Sequence, residues 1–311
     1  MYKRTLLQQP PPTFGGHETF VFRYNWLKKG FEAIQADPKA FHHDDALVRL
    51  GVGKNMVRSI RHWCLALGII EEGESIGRTR ELAPTTFGQQ LLDNSGWDAY
   101  LEDRGTLWLL HWQLATNRVR GLVWHISLSL QQAEFSKALL QALVERQLER
   151  LEIKTTSQMI SREVDCFLRT YVSPLRKRAG VIAEETIDCP LTELDLIRYD
   201  SGDSVYRFNV GAKPTLPTAI FGYALLTYLS EVMESRRTVA LDECIYQIGS
   251  PGQIFKLDEN SVVDYIEQLA TLTEGRLQFQ ETAGLHQIYL HDLDVAMLRE
   301  TAESLLKQYY V

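Results

Sequence analysis

The sequence lacks the motifs of several large enzyme classes. It has no Walker A loop, no dinucleotide-binding glycine pattern and no nucleophile elbow, which disfavours an ATPase or a redox enzyme. No apolar run is long enough to cross a bilayer, and residues 1–12 lack the apolar core of a signal peptide. We therefore expect a cytoplasmic protein that does not contact a membrane.

Cysteine is also scarce. The 311 residues include four cysteines, Cys64, Cys166, Cys189 and Cys244, and no two of them have the close spacing of metal ligands. In a cytoplasmic chain such cysteines are expected to be reduced, mostly buried thiols. A cysteine-rich zinc site is disfavoured.

Positive charge is outweighed by negative charge, with 33 Lys and Arg against 40 Asp and Glu and a formal net charge of −7. That total argues against a nucleic-acid partner, but the two halves of the chain differ. Residues 181–311 hold 9 basic and 21 acidic side chains, a net of −12, whereas residues 1–180 hold 24 and 19, a net of +5. The first half can face phosphates, and the acidic second half suits solubility or a basic protein partner.

A helix-turn-helix pattern occupies residues 40–84. Asp44 or Asp45 can cap a short helix, a Gly-Val-Gly turn follows it, and residues 54–67 carry a single apolar stripe. Gly68 fits the left-handed position that ends a helix, and two short strands flank the polar loop that comes next. This order of elements predicts a winged helix-turn-helix.

The remaining elements predict a mainly α fold of the α+β class. The periodicity indicates helices over residues 97–116, 131–149, 157–171, 218–233 and 259–272, and strands over residues 194–197, 206–210, 277–281 and 286–290. The last helix and hairpin resemble a second, degenerate winged module. The predicted domains are an N-terminal arm with the winged helix-turn-helix (1–95), a central helical domain (96–180) and an acidic C-terminal α+β winged-helix-like domain (181–311).

Basic and amide side chains on the polar face of the second helix are the first candidates for DNA contact. Arginine reads guanine, asparagine reads adenine, and lysine and arginine hold phosphates. The alternative is a winged helix that contacts only protein, which acidic residues around Glu72 favour. With the arginines of the hairpin and a basic stretch farther along the chain, the predicted DNA-binding residues are Lys54, Asn55, Arg58, Arg61, His62, Arg78, Arg80, Arg169, Arg176, Lys177 and Arg178.

Two groups of polar residues could carry phosphodiester chemistry. Beside Gly15-Gly16, His17-Glu18 could supply a proton acceptor or a metal ligand. The alternative is a His–Glu hydrogen bond that ties the arm to the body. Carboxylates on predicted helices, with Asp98 and Glu102 four apart on one face, could hold a divalent metal that activates water, although solvated or salt-bridged carboxylates have the same pattern. The candidate catalytic residues are His17, Glu18, Glu102, Asp103, Glu163 and Asp165.

Several stretches carry a resemblance to a known family. They are residues 14–20 (FGGHETF), 26–30 (WLKKG), 100–103 (YLED), 106–111 (TLWLLH), 163–165 (EVD), 167–171 (FLRTY) and 189–191 (CPL). In these motifs the chain resembles the SspB-like DNA nickase family of the bacterial Ssp DNA phosphorothioation system, a family of otherwise unknown function. The motifs are specific to that family and are not catalytic signatures known elsewhere.

The resemblance implies a protein that nicks one DNA strand in a DNA-modification and anti-phage defence pathway. It also implies a cysteine desulfurase, an ATPase and an ATP-pyrophosphatase-like protein as partners beside DNA, and it leaves a homodimer open. A nickase of this kind is expected to use a divalent metal, magnesium or manganese. The competing hypotheses are a non-catalytic winged-helix adaptor that binds DNA and recruits the sulfur-transfer enzymes, and a transcriptional regulator.

Overall fold

The computed structural model describes residues 10–76, 79–173, 189–233, 236–282 and 284–311, and the chain divides into two compact units, residues 1–207 and 208–311. Helices and small antiparallel sheets make it an α+β protein.

The first unit contains α1 (Tyr24–Ala36), a 3-10 turn (Ala40–His42), α2 (Ala46–Leu50), α3 (Lys54–Ala66), β1 (Ile70–Ile76), β2 (Thr79–Pro84), α4 (Thr86–Leu92), α5 (Arg104–Thr116), α6 (Leu122–Leu128), β3 (Glu134–Phe135), α7 (Lys137–Arg150), α8 (Ser157–Tyr171), a 3-10 turn (Pro190–Leu194), β4 (Ile197–Asp200) and β5 (Val205–Phe208). The second unit contains α9 (Thr218–Val232), β6 (Thr238–Ala240), α10 (Leu241–Tyr246), α11 (Pro251–Phe255), α12 (Glu259–Leu272), β7 (Leu277–Thr282), β8 (Leu285–Leu290) and α13 (Val295–Tyr310).

The α3 helix and the β1–β2 hairpin follow each other as the sequence pattern predicts. The apolar stripe of α3 is buried, including Val57, Ile60 and Cys64. Gly68 has φ +70°, the left-handed conformation that a side chain disfavours, and it turns the chain from α3 into β1. β1 and β2 then pair antiparallel, with Ile70 opposite Pro84.

The α5 helix begins later than its apolar pattern predicts. Residues 97–103 are not helical, because both carboxylate oxygens of Asp98 accept backbone N–H groups, from Glu102 at 2.8 Å and from Asp103 at 3.0 Å. A short polar side chain that bonds to nearby backbone in this way competes with the helix. The expected helical face shared by Asp98 and Glu102 therefore does not exist.

The helices α5 and α6 form the core of the first unit. Trp108 and Trp124 are fully buried, and the Trp124 ring meets the Phe167 ring of α8 edge to face at 6.3 Å. α8 spans the predicted residues 157–171 and is capped by Thr156, whose hydroxyl accepts the backbone N–H of Met159. This packing and this N-terminal cap hold α8 in place and thereby fix the positions of its polar side chains.

Two further differences from the predicted elements lie near chain turns. The strand expected at residues 194–197 begins only at Ile197, after the 3-10 turn, and Asp195 at φ 48° separates the two. The helix expected from residue 131 begins at Lys137, because residues 134 and 135 form the edge strand β3, which pairs with β5. The sheet order is β3-β5-β4.

The second unit has a three-stranded antiparallel sheet in the order β6-β8-β7. Its helix α12 and the β7–β8 hairpin occupy the predicted positions, and β6 adds a strand by pairing Val239 with Ile288. α9 is buried along most of its length, and Gly222 permits close packing, since a Cβ there would lie 2.5 Å from Leu269 and 2.7 Å from Leu305.

The four cysteines are free and buried, as expected for reduced thiols. In the described parts of the chain, every helix is too short or too polar to span a bilayer.

Candidate functional site

The N-terminal arm is tied to α8 through a buried pair. His17 Nε2 lies 3.2 Å from Glu163 Oε1, and the two side chains are 1% and 4% exposed. The same carboxylate oxygen accepts the backbone N–H of Gly15 at 2.5 Å. The second interpretation of the sequence, a His–Glu contact that ties the arm to the body, therefore fits this geometry. The partner of His17 is Glu163, not Glu18.

Two glycines permit this close approach. Gly15 has φ +73°, and a Cβ on Gly16 would lie 2.5 Å from His62 Nδ1. Glu18 and Thr19 follow with φ 47° and 67°, a tight turn that returns the chain to the surface. The Thr19 N–H donates to His17 Nδ1 at 3.0 Å, so both ring nitrogens of His17 face polar groups.

The surroundings of His17 favour its charged form. Burial lowers its pKa, but the neighbouring Cys166 and Glu163 side chains outweigh burial and raise the pKa to about 10. Burial and the nearby charge on His17 hold the pKa of His62 well below its usual value. The pKa of His17 is thus raised and that of the neighbouring His62 lowered, and protonation at His17 Nδ1 would displace the Thr19 N–H that donates to it.

A pocket opens at the surface where this turn meets α8. Its volume is about 460 Å³, and its charged side chains are three arginines and one aspartate. The lining residues are Thr19, Phe20, Val21, Arg23, Arg162, Asp165 and Arg169. We call this the arginine pocket. An excess of guanidinium groups around a concave site suits a phosphate group, which planar N–H donors hold in pairs.

Three contacts fix the walls of the arginine pocket. Arg169 donates from Nη2 to the backbone carbonyl of Thr19, which joins α8 to the turn. Asp165 Oδ1 lies 2.7 Å from Lys137 Nζ of α7, and the carboxylate is 46% exposed. Arg23 lies over the Trp26 ring, 5.2 Å from its centroid, a cation–π contact that orients the guanidinium.

The exposed face of α3 carries the predicted basic residues in part. Lys54, Asn55 and Arg58 are exposed. Arg58 Nη1 lies 3.2 Å from Glu18 Oε1, a pair of which 57% and 31% of the side chains remain exposed. Glu18 therefore links the arm to the α3 face and does not enter the arginine pocket.

Glu72 of β1 binds a cluster of arginines beside that face. Its carboxylate lies 3.0 Å from Arg61 Nη2, 3.0 Å from Arg80 Nη1 and 2.8 Å from Arg120 Nη2. Burial raises the pKa of Glu72, but the three guanidinium groups outweigh it and keep the pKa below its usual value. Arg61, Arg80 and Arg120 thus share one negative charge, and the cluster keeps a net positive charge.

Several other predicted site residues lie outside both the arginine pocket and the exposed face of α3. His62 is 6% exposed and packs edge to face against Trp63, so its ring does not reach a DNA groove. Asp103 caps α5 by accepting the backbone N–H groups of Gly105 and Thr106, and neither it nor Glu102 lines the arginine pocket. Arg78, Arg176, Lys177 and Arg178 lie outside the described residues.

A metal site needs several converging ligands. Within the described ranges, no group of three or more His, Cys, Asp or Glu side chains could hold a metal ion. In the arginine pocket, the described lining offers the carboxylate of Asp165 alone. The protein donors therefore do not form a complete cage, and a magnesium ion would need water and substrate phosphate as further ligands, as is usual for this ion.

Two arginines of these sites have no clear signal in the sequence. Arg23 is the residue directly before α1, and this position in the fold brings it to the pocket. Arg120 comes from the α5–α6 turn and reaches Glu72 across the fold. Neither position has a spacing that would mark it, whereas Arg162 lies on α8 in the same basic stretch of sequence as Arg169.

Comparison with known proteins gives two consistent results. The model of a family described as "Protein of unknown function (DUF4007)" matches residues 14–310. The crystal structure of magnesium-bound SspB is similar, with a TM-score of 0.86 and 31% identity over 96% of this chain and 88% of that one. A second SspB crystal structure has a TM-score of 0.84 and 30% identity, with the same coverage. No curated protein sequence matches the chain.

Proposed function

The chain belongs to the DUF4007 family and is similar in structure to SspB, and on this basis we propose that it nicks one strand of DNA within a phosphorothioation and anti-phage defence system. The partners are then DNA and the sulfur-transfer proteins, namely a cysteine desulfurase, an ATPase and an ATP-pyrophosphatase-like protein. The arginine pocket is the single observation that carries the nicking proposal.

Arg23, Arg162 and Arg169 give the arginine pocket the charge and donor geometry for one phosphodiester. Guanidinium N–H groups on the non-bridging oxygens stabilise the negative charge that grows when water attacks phosphorus. Asp165 is the general base in this proposal: it takes a proton from the attacking water, the new P–O bond forms, and the P–O bond to the deoxyribose oxygen breaks, with that oxygen taking a proton from solvent water. Its ion pair with Lys137 orients the carboxylate.

Residues 40–84 dock the DNA in this proposal as a winged helix-turn-helix. The exposed residues Lys54, Asn55 and Arg58 lie on the polar face of α3, the helix that would enter the major groove. The β1–β2 hairpin stands where a wing follows such a helix. His62 is left out of the contact set because its ring is buried.

A divalent metal, magnesium or manganese, is the proposed cofactor. When the ion is bound, Asp165 would be its protein ligand in place of acting as the general base, and the ion would act as a Lewis acid on the phosphate. Two observations support a metal here. The half-exposed carboxylate of Asp165 lies beside three arginines that would hold a phosphate, and the similar SspB crystal structure is of the magnesium-bound protein.

The test is a supercoiled-plasmid assay with magnesium, in which nicking yields open circles. We expect Asp165→Asn and Arg162→Ala to reduce nicking at least about a hundredfold, the usual effect of removing a positioned base or charge donor. Asp203→Asn, which changes an exposed carboxylate outside the pocket, is the matched control and keeps full activity. Chelation of the metal with EDTA is expected to stop nicking.

The adaptor hypothesis has one specific observation in its favour, the net charge of −12 on residues 181–311, which suits a basic protein partner. It predicts salt-sensitive DNA binding without open circles. If purified protein binds plasmid but Asp165→Asn and wild type both leave it supercoiled with magnesium or manganese, the nickase proposal fails and the adaptor is favoured.

A further inference from the structure

A second groove adjoins the arginine pocket and has no role in the proposed cleavage step. Its volume is about 780 Å³, within the range of small-ligand sites. It lies between the start of α1 and the turn that precedes α3, and we call it the α1 groove. The lining residues are Arg23, Tyr24, Asn25, Trp26, Lys29, Gly51, Val52, Gly53 and Met56.

The two cavities share Arg23, which lines both. A strand whose phosphate lies in the arginine pocket can therefore continue past Arg23 into the α1 groove.

The chemistry of the α1 groove combines an aromatic ring with positive charge. Tyr24 is 36% exposed, and its hydroxyl donates to Glu193 at the edge, which fixes the ring. Lys29 donates to the backbone carbonyl of Leu50 at 2.8 Å and retains further N–H groups. None of the described lining residues is acidic and the Glu193 carboxylate at the edge is bonded to the Tyr24 hydroxyl, so Arg23 and Lys29 supply the charge that complements a phosphate-bearing ligand.

The opposite wall leaves room for a flat ligand. A Cβ placed on Gly51 or Gly53 would meet no atom within 4 Å, so the turn faces open space. Trp26, in contrast, is 2% exposed and serves as the floor under Arg23. Tyr24 is thus the ring that a planar ligand can reach.

We propose that the α1 groove binds an unstacked base of the DNA strand that is to be cut, with the base against Tyr24 and its phosphates at Arg23 and Lys29. Stacking on an exposed aromatic beside a basic track is how proteins hold unpaired nucleotides without reading their sequence. The inference rests on the proposed nicking function, because it assigns the substrate strand of the same site.

The experiment compares two fluorescein-labelled single-stranded DNA probes of about 12 nucleotides, oligothymidylate and an abasic strand with the same phosphates. Fluorescence anisotropy of the full chain is expected to show about tenfold tighter binding of oligothymidylate, because only that probe offers bases to stack. Tyr24→Ala should remove this preference and Tyr24→Phe should keep it. Tyr100→Ala, at a tyrosine that is 68% exposed outside the groove, is the control that leaves it unchanged.

Equal binding of both probes by wild type would overturn the inference, and so would a preference that survives Tyr24→Ala. Thermal melting and binding of the abasic strand show that Tyr24→Ala is folded, since its phosphate contacts remain. A base preference in a protein that never nicks plasmid would contradict only the nickase proposal. Nicking without a base preference would contradict only the proposal that the α1 groove binds a base.

Discussion

His17 Nε2 and Glu163 Oε1 lie 3.2 Å apart with side chains that are almost completely buried, and this contact fastens the N-terminal arm to α8. The turn that follows His17 supplies Thr19, Phe20 and Val21 to the arginine pocket. The pair therefore supports one wall of the proposed active site from behind.

Removal of the charge at Glu163 is expected to destabilise the fold. Glu163→Gln leaves the buried His17 without a counter-charge and weakens the bond from Gly15 N, so we expect the free energy of unfolding to fall by about 2–3 kcal/mol. Urea unfolding at pH 7 measures it. Asp165→Asn on the same helix alters a half-exposed ion pair and should cost less than about 1 kcal/mol. Equal losses in the two variants would contradict a special role for the buried pair.

The same pair predicts a dependence of stability on pH. The pKa of His17 is raised in the folded protein to about 10 from an ordinary value of 6.5. A group with a raised pKa contributes fully below its unfolded pKa and loses that contribution as pH rises through the folded one. The difference in unfolding free energy between wild type and Glu163→Gln should therefore be largest near pH 6 and shrink toward pH 10. A difference that stays constant over this range would show that His17 is neutral.

Gly16 is expected to reject a side chain. Gly16→Ala would press its Cβ against the buried ring of His62, and such overpacking costs about 1–3 kcal/mol. The comparison is Gly73→Ala, where the Cβ would make an ordinary contact at 3.4 Å with a backbone oxygen. Thermal denaturation should give a clearly lower midpoint for Gly16→Ala than for Gly73→Ala. Similar midpoints would mean that the arm does not pack as closely as the structure has it.

Two arginines of α3 should differ in their effect on DNA binding. Arg58 is 57% exposed and pairs only with the exposed Glu18, so Arg58→Ala should lower duplex affinity and reduce the slope of log K against log salt by about one. Arg61 is 33% exposed and paired with Glu72, so its replacement should change the slope less. Titrations at several salt concentrations decide, with Arg198→Ala on β4 as control. An unchanged slope for Arg58→Ala would show that the helix faces protein.

Periodicity located the helices whose buried face is regular. The stripe from Val57 to Cys64 and the whole of α8 agree with the pattern because one face of each helix packs on a core. The start of α5 did not follow its pattern, because Asp98 bonds to two backbone N–H groups and no apolar periodicity reports such a contact.

The sites were harder to foresee than the elements. The sequence drew attention to His17 and Glu163 separately, but their meeting depends on the long path of the chain between them. His62 has the right place on a helix to face solvent, yet the arm covers it, since Gly16 packs directly on its ring. Contacts between distant segments decide these cases, and they leave no trace in local spacing.

Glu72 has a consequence for how firmly DNA could be held. Its carboxylate already occupies three guanidinium groups. In the proposed complex, a phosphate that reaches Arg61 or Arg80 would meet this carboxylate as a competing anion, so its net attraction to either arginine would be smaller than to an unpaired one. Exchange between the Glu72 carboxylate and a phosphate at this surface would favour fast release of bound DNA.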